Sequence, residues 1–273
     1  MKNDLLHIKM CRECKASLHK KIKNAKNAII ENEINRPSSI DKTNDGILND
    51  YVFKNVIKKP EHFGNIARMA IQISSQWQNG RTLTASFMGG SKVVQERVKR
   101  HALIWMDHVN IELDFKSRKK PADIRITFDK NDGSWSYVGT ELLGIDSGDP
   151  TMNLGWLTPT TDDEEYHRVV LHEFGHTLGC IHEHSNPIGK IPWDKTKAYK
   201  YYQETQGWSK EEVDEQVFAK YDKDLIRGSK IDKKSIMMYP IPNEITIGDY
   251  EIGWNNDLSE GDKKFMAKMY PKK

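Results

Sequence analysis

The sequence predicts an α+β fold, a sheet packed by helices in α/β-like alternation. Three observations point to it. Short strand-like runs and helical periods follow one another from residue 81 onward. One helical segment keeps a single apolar stripe along its length, and another opens on four consecutive carboxylates and stops at a glycine.

Taken in order, residues 17–34 carry a helical pattern, and the polar stretch from Arg36 to Gly46, dense in turn formers, reads as a linker. Apolar residues recur near helical spacing over 66–77, and Asn79-Gly80 marks a turn before a strand over 81–88. Gly89-Gly90-Ser91 then opens a helix through Val109, with Val94, Val98, Ala102, Trp105 and Val109 on one buried face. Strands follow over 111–115 and 122–128, and another over 151–157. After Thr160-Thr161 a helix starts with Asp162, Asp163, Glu164 and Glu165 at the positive end of its dipole, Thr161 and Glu164 being able to form a capping box. Val170, Phe174 and Leu178 form its core stripe, and Gly179 ends it. Ser259 and Asp262 can cap a last helix to Met269.

At 273 residues, with 37% hydrophobic and 30% charged residues, the chain is long enough to bury a substantial core yet strongly hydrophilic. The net charge of +3 is uneven: residues 1–60 hold 13 Lys or Arg against 7 Asp or Glu, leaving the rest slightly acidic. That basic stretch lacks the interleaved aromatics of a nucleic-acid surface, so a solvated extension is expected and no nucleic-acid partner. No Sec-type apolar segment and no 18-residue apolar run occur, which leaves the location open between the cytoplasm and a non-Sec export route. Three cysteines, Cys11, Cys14 and Cys180, exclude a disulfide-dense scaffold. Cys11-Arg-Glu-Cys14 has no second Cys or His pair nearby to close a tetrahedral zinc site, so a redox or inert role is expected of it.

The chemistry concentrates in His172-Glu-Phe-Gly-His176-Thr-Leu-Gly179-Cys-Ile-His182, an HExxHxxGxxH string with every specified position filled. Residues four apart share a helix face, so His172 and His176 can present two imidazoles to one ion. Glu173 lies about 100° around the helix, near enough to reach a water on the metal without ligating it. On a straight helix His182 would lie about 15 Å from His172 along the axis, so the chain must turn. Gly179 supplies the turn, because glycine takes the left-handed conformation without steric cost. About 55 residues downstream, Ser235-Ile-Met-Met-Tyr239 is core filling when read alone and matches a Met-turn when read after the zinc string.

On these motifs residues 65–271 resemble the astacin-like and matrix-metalloprotease-like metzincins, the astacin side above all. His182-Glu183-His184 is similar to the HEH that extends the astacin zinc motif, and Ser-Ile-Met-x-Tyr to the astacin Met-turn. Gly133-Ser-Trp-Ser-Tyr-Val-Gly139 and Met152-Asn-Leu-Gly-Trp156 are similar to strands of the upper domain. The resemblance implies a metzincin fold: a mixed five-stranded twisted sheet, two long helices, one of them the active-site helix, and an irregular C-terminal subdomain ending in a helix. It implies one catalytic zinc on His172, His176 and His182, Met237 beneath the metal, Glu173 as general base, Tyr239 at the metal or the oxyanion, and a protein or peptide substrate pairing with the strand from Met152 to Leu157 as the edge of the sheet. The chain departs from the family in lacking its disulfides. No PRCGxPD cysteine switch occurs, and His62-Phe-Gly-Asn-Ile66 is a weak echo of the aspartate switch.

The expected organisation is a basic N-terminal extension over residues 1–62, partly helical or pro-like, and a catalytic domain over 63–273, acting as a monomer. The extension is expected to be dispensable for zinc binding and catalysis. The competing expectation is an inhibitory prosegment.

Overall fold

The computed structural model describes residues 9–14, 18–36, 75–118, 120–220 and 231–272. The stretch at 37–46, nearly all of the helical period expected over 66–77, and His62–Ile66 lie outside them. The main described elements are β1 (Arg12–Glu13), α1 (Leu18–Glu31), β2 (Thr82–Phe87), α2 (Lys92–Ala102), β3 (Glu112–Asp114), β4 (Ile124–Thr127), β5 (Ser134–Ser136), β6 (Met152–Leu154), α3 (Asp163–Thr177), α4 (Lys195–Gln206) and α5 (Glu260–Met269), joined by short 3-10 turns and, after α4, by one helical turn (Lys210–Val213) that runs on as a π-helical stretch (Asp214–Phe218).

The sheet has the order β1-β5-β6-β4-β2-β3. Its pairs are parallel except β5 with β6, so five strands form the mixed sheet of the main body and β1 adds a sixth from the N-terminal arm. This corrects one expectation. The strand at Met152 is no edge, because β6 is paired on both sides, with β4 and with β5. The main sheet has its edges at β5 and β3, and β1 covers β5.

Helices α2 and α3 close one apolar core with the sheet, and Val94, Val98, Ala102, Trp105 and Val109 are all buried in it. The single helix expected through Val109 is in fact two pieces: α2 stops at Ala102 and a 3-10 stretch (Leu103–Asp107) carries Trp105 inward, where its Nε1 donates to Leu171 O at 2.9 Å. At the start of α3 the expected capping box does not form. Asp162 is the N-cap, and Thr161 Oγ1 is held in the preceding turn, accepting from Thr158 N and donating to Trp156 O. The acidic first turn stays in place at the positive helix end. A second apolar cluster, built on α4 and on Met238, Tyr239, Ile241 and Ile245, forms the lower subdomain. At the other end, α5 has the expected capping box, with Ser259 and Asp262 satisfying each other's backbone N–H.

The arm is not a solvated appendage where it is described. Helix α1 lies on the 3-10 stretch Gly139–Gly144. Asn32 Nδ2 donates to Trp77 O at 2.9 Å, and Asn35 Nδ2 to Gln76 O at 2.8 Å. Met10 is buried with the lower cluster and Cys11 with the main core. No helix among the described residues is long and apolar enough to cross a membrane.

Candidate metal centre

Helix α3 sets the site because residues 172 and 176 fall on one face. The chain leaves that helix at Gly179, whose φ of +99° only glycine adopts without strain, and returns His182 to the same point. His172 Nε2 lies 3.1 Å from His182 Nε2, and so does His176 Nε2. Each histidine offers a nitrogen to one common locus, and all three are buried. Nitrogen pairs at this spacing suit a tetrahedral zinc with bonds of about 2.0 to 2.1 Å.

The outer ring nitrogens are held as well. His172 Nδ1 donates to Ile236 O at 2.8 Å and His176 Nδ1 to Cys180 O at 2.9 Å, which leaves each Nε2 lone pair facing the locus. Burial, and then the neighbouring His176, push the His172 pKa well below its ordinary value, so the ring is neutral as a ligand must be. Met237 packs beneath the helix: a Cβ on Gly175 would meet its Sδ at 2.4 Å, so the glycine in Glu-Phe-Gly-His admits the methionine.

Glu173 is fully buried. Among the described residues neither of its carboxylate oxygens has an N–H or O–H donor, and the Cys11 thiol faces it. Burial raises its pKa to about 8, against the lowering pull of the thiol and of Arg168. Arg168 is held by Glu165 through two bonds of 2.8 and 2.7 Å, and its guanidinium stacks 4.7 Å over Trp254. An orphaned buried carboxylate is costly unless something polar joins it. A water carried on a metal at the histidine locus would meet that need, so the donor set fits zinc.

Tyr239 is buried beside the histidines, its ring 4.4 Å from His182 and 4.3 Å from His184. Its hydroxyl donates to the backbone carbonyl of Cys11. Residues 9–14 therefore thread the cleft between α3 and the lower subdomain. Arg168 reaches Lys9 O, Met10 N donates to Gln206 Oε1 at 3.1 Å, and Arg12 bridges Asp132 at 2.9 Å. Cys14 N donates to Ser136 O of β5.

A family model for the astacin peptidases, Astacin, matches residues 70–271. The chain belongs to the astacin family. Among solved structures, one titled "Structure of myroilysin" is 42% identical, with a TM-score of 0.71, over 73% of this chain and 97% of that one. A second, "Crystal structure of myroilysin", is 41% identical at a TM-score of 0.57, covering 73% and 87%. The hatching enzyme zinc-protease High choriolytic enzyme 1 from Oryzias latipes, the medaka fish, shares the fold at 15% identity and a TM-score of 0.50, covering 73% and 96%. No curated protein matches. As an astacin-family member this chain is a zinc metalloendopeptidase, acting on protein or peptide substrates.

Within this astacin-family site, the residues expected from the motif come together: His172, His176 and His182 converge, Glu173 lies beside them and Tyr239 lines the cleft. Sequence reasoning missed Cys11. Its CxxC gives no local sign of the partner, because the strand it precedes pairs with β5 more than 120 residues away.

Proposed function

We propose that this chain hydrolyses extended protein substrates with water as the nucleophile, using one zinc on His172, His176 and His182 and Glu173 as the general base. The observation that supports it best is the buried Glu173 carboxylate, without N–H or O–H donors, beside three converging imidazole nitrogens. When bound, zinc supplies a Lewis acid that polarises a carbonyl and acidifies a water. Glu173 takes the proton of the attacking water and passes it to the leaving amine, a role its raised pKa suits near neutral pH. Tyr239 donates to the oxyanion. The support for this is its bond to the Cys11 carbonyl, by which the hydroxyl already donates to a peptide carbonyl lying beside the histidines.

The substrate pairs with β5, the edge that β1 covers, by strand addition. Residues 1–62 are then a pro-like arm over a catalytic domain of 63–273, because a chain threaded past Glu173 and bonded to Tyr239 excludes substrate from the same space. A quenched-peptide digestion with and without a chelator tests the metal reading. The His172→Ala, His176→Ala and His182→Ala variants should each lose zinc on dialysis, and full zinc occupancy in any of them removes that residue from the ligand set. Comparing kcat/KM of the whole chain with that of a chain beginning near Glu61 tests the arm: a higher value for the shorter chain supports occlusion, and equal values refute it.

A further inference from the structure

The Met-turn carries a link that neither the zinc string nor the family motif uses. His172 Nδ1 donates to the carbonyl of Ile236 at 2.8 Å. The N–H of that same peptide unit, on Met237, donates to Ser235 Oγ at 3.0 Å. Ser235 Oγ in turn donates to Asp262 Oδ1 at 2.6 Å. One continuous chain of hydrogen bonds therefore runs from the imidazole of a metal ligand, through one peptide group, to a carboxylate on the first turn of α5. Asp262 Oδ2 accepts from Ile236 N at 2.9 Å and from Ser259 N at 3.0 Å, so the same carboxylate grips the turn at two points while capping its own helix.

Direction matters in such a chain. A carboxylate at its end polarises the hydroxyl, the hydroxyl draws on the peptide N–H, and the peptide carbonyl becomes a stronger acceptor for His172 Nδ1–H. That fixes the tautomer, aims Nε2 at the metal locus and raises its basicity as a ligand. A carboxylate is suited to this because it is acceptor-only, so both of its oxygens can serve donors on the turn.

We infer that Asp262 is a positioning residue for the metal centre, acting on His172 through Ser235 and the Ile236–Met237 peptide. The inference rests on His172 being a zinc ligand. Its test separates the link from the stability of α5 by using three variants of the full chain. Asp262→Ala removes both the link and the cap contact. Ser235→Ala cuts the link at the hydroxyl and leaves the Ser259–Asp262 cap in place. Ser259→Ala weakens the cap while leaving Asp262 on Ser235 and Ile236. Zinc affinity is measured by competition with a chromophoric chelator, and thermal unfolding is followed in parallel.

Loss of an outer partner of a ligating histidine costs about 10- to 100-fold in metal affinity. Asp262→Ala and Ser235→Ala should each fall in that range, with Ser259→Ala staying within about threefold of wild type. Ser235→Thr, which keeps the hydroxyl, should restore most of the affinity lost in Ser235→Ala. If Asp262→Ala does not fold, the Ser235 pair carries the test. Wild-type affinity in Ser235→Ala overturns the inference, and so does an equal fall in all three variants, which would make the effect a general loosening of α5. A wild-type chain that binds no zinc overturns the metal reading itself, whereas zinc in wild type with unaffected variants overturns this inference alone.

Discussion

The histidine cage and the segment that faces it, through Cys11, both meet at Glu173, yet they are built in opposite ways. The cage comes from eleven consecutive residues, His172 to His182, whose helix spacing and one glycine turn bring three nitrogens to a point. The segment at 9–14 has almost no structure of its own: two residues of β1 pair with β5, a thiol faces Glu173, and Tyr239, Gln206 and Asp132 hold it from three parts of the chain. Local geometry makes the first rigid before anything binds. The second owes its place to partners far away in sequence.

The largest test of that contrast is Glu173→Gln. In the more active of the whole and shortened chains it should keep zinc and lower kcat by about 10³- to 10⁴-fold, because the amide preserves shape and loses basicity. Peptide cleavage near the wild-type rate would remove Glu173 from the mechanism. Tyr239→Phe should lower kcat by about 10²-fold with little change in KM, as loss of an oxyanion donor does. A rise in KM alone would make the tyrosine a substrate-binding residue.

The metal-free protein offers a pH test of the same carboxylate. Its pKa is raised from 4.5 to about 8 on folding, so the folded state holds the proton more tightly than the unfolded one. The stability contributed by this group is then greatest below about pH 4.5, falls as pH rises toward 8, and is level above that. Glu173→Gln removes this dependence. Its advantage over wild type in unfolding free energy, measured by denaturant titration, should grow between pH 4.5 and 8, by on the order of a few kcal/mol in total. A difference that stays constant with pH would place Glu173 in a wetter setting than the fold implies.

The smallest expected effect concerns the segment. The Arg12–Asp132 bridge is partly exposed and is worth about 1 kcal/mol or less. Arg12→Ala in the whole chain should therefore raise turnover by no more than about fivefold, read with a quenched peptide. A much larger gain would make the bridge the main latch, and a loss of turnover would contradict occlusion.

How much of this was legible beforehand follows the same division. The convergence of His172, His176 and His182, the Gly179 turn and the Ser259–Asp262 cap could all be read from spacing, because a helix converts intervals of three and four into neighbours and a glycine ends it. The buried stripe from Val94 to Val109 was legible for the same reason, although the break at Ala102 was not, since period alone does not report where α-helix tightens to 3-10. The Thr161–Glu164 box failed because Thr161 found nearer partners in its own turn.

What the sequence by itself determined is the metal chemistry and the family, both written in short strings whose meaning depends on local geometry. Strand order, the covering of β5, the contact of Cys11 with Glu173 and the reach of Asp262 to His172 were decided only by the tertiary structure. Each joins residues separated by tens to hundreds of positions, and a pairing at that range is chosen by the packing of the whole sheet and core, which no local period encodes.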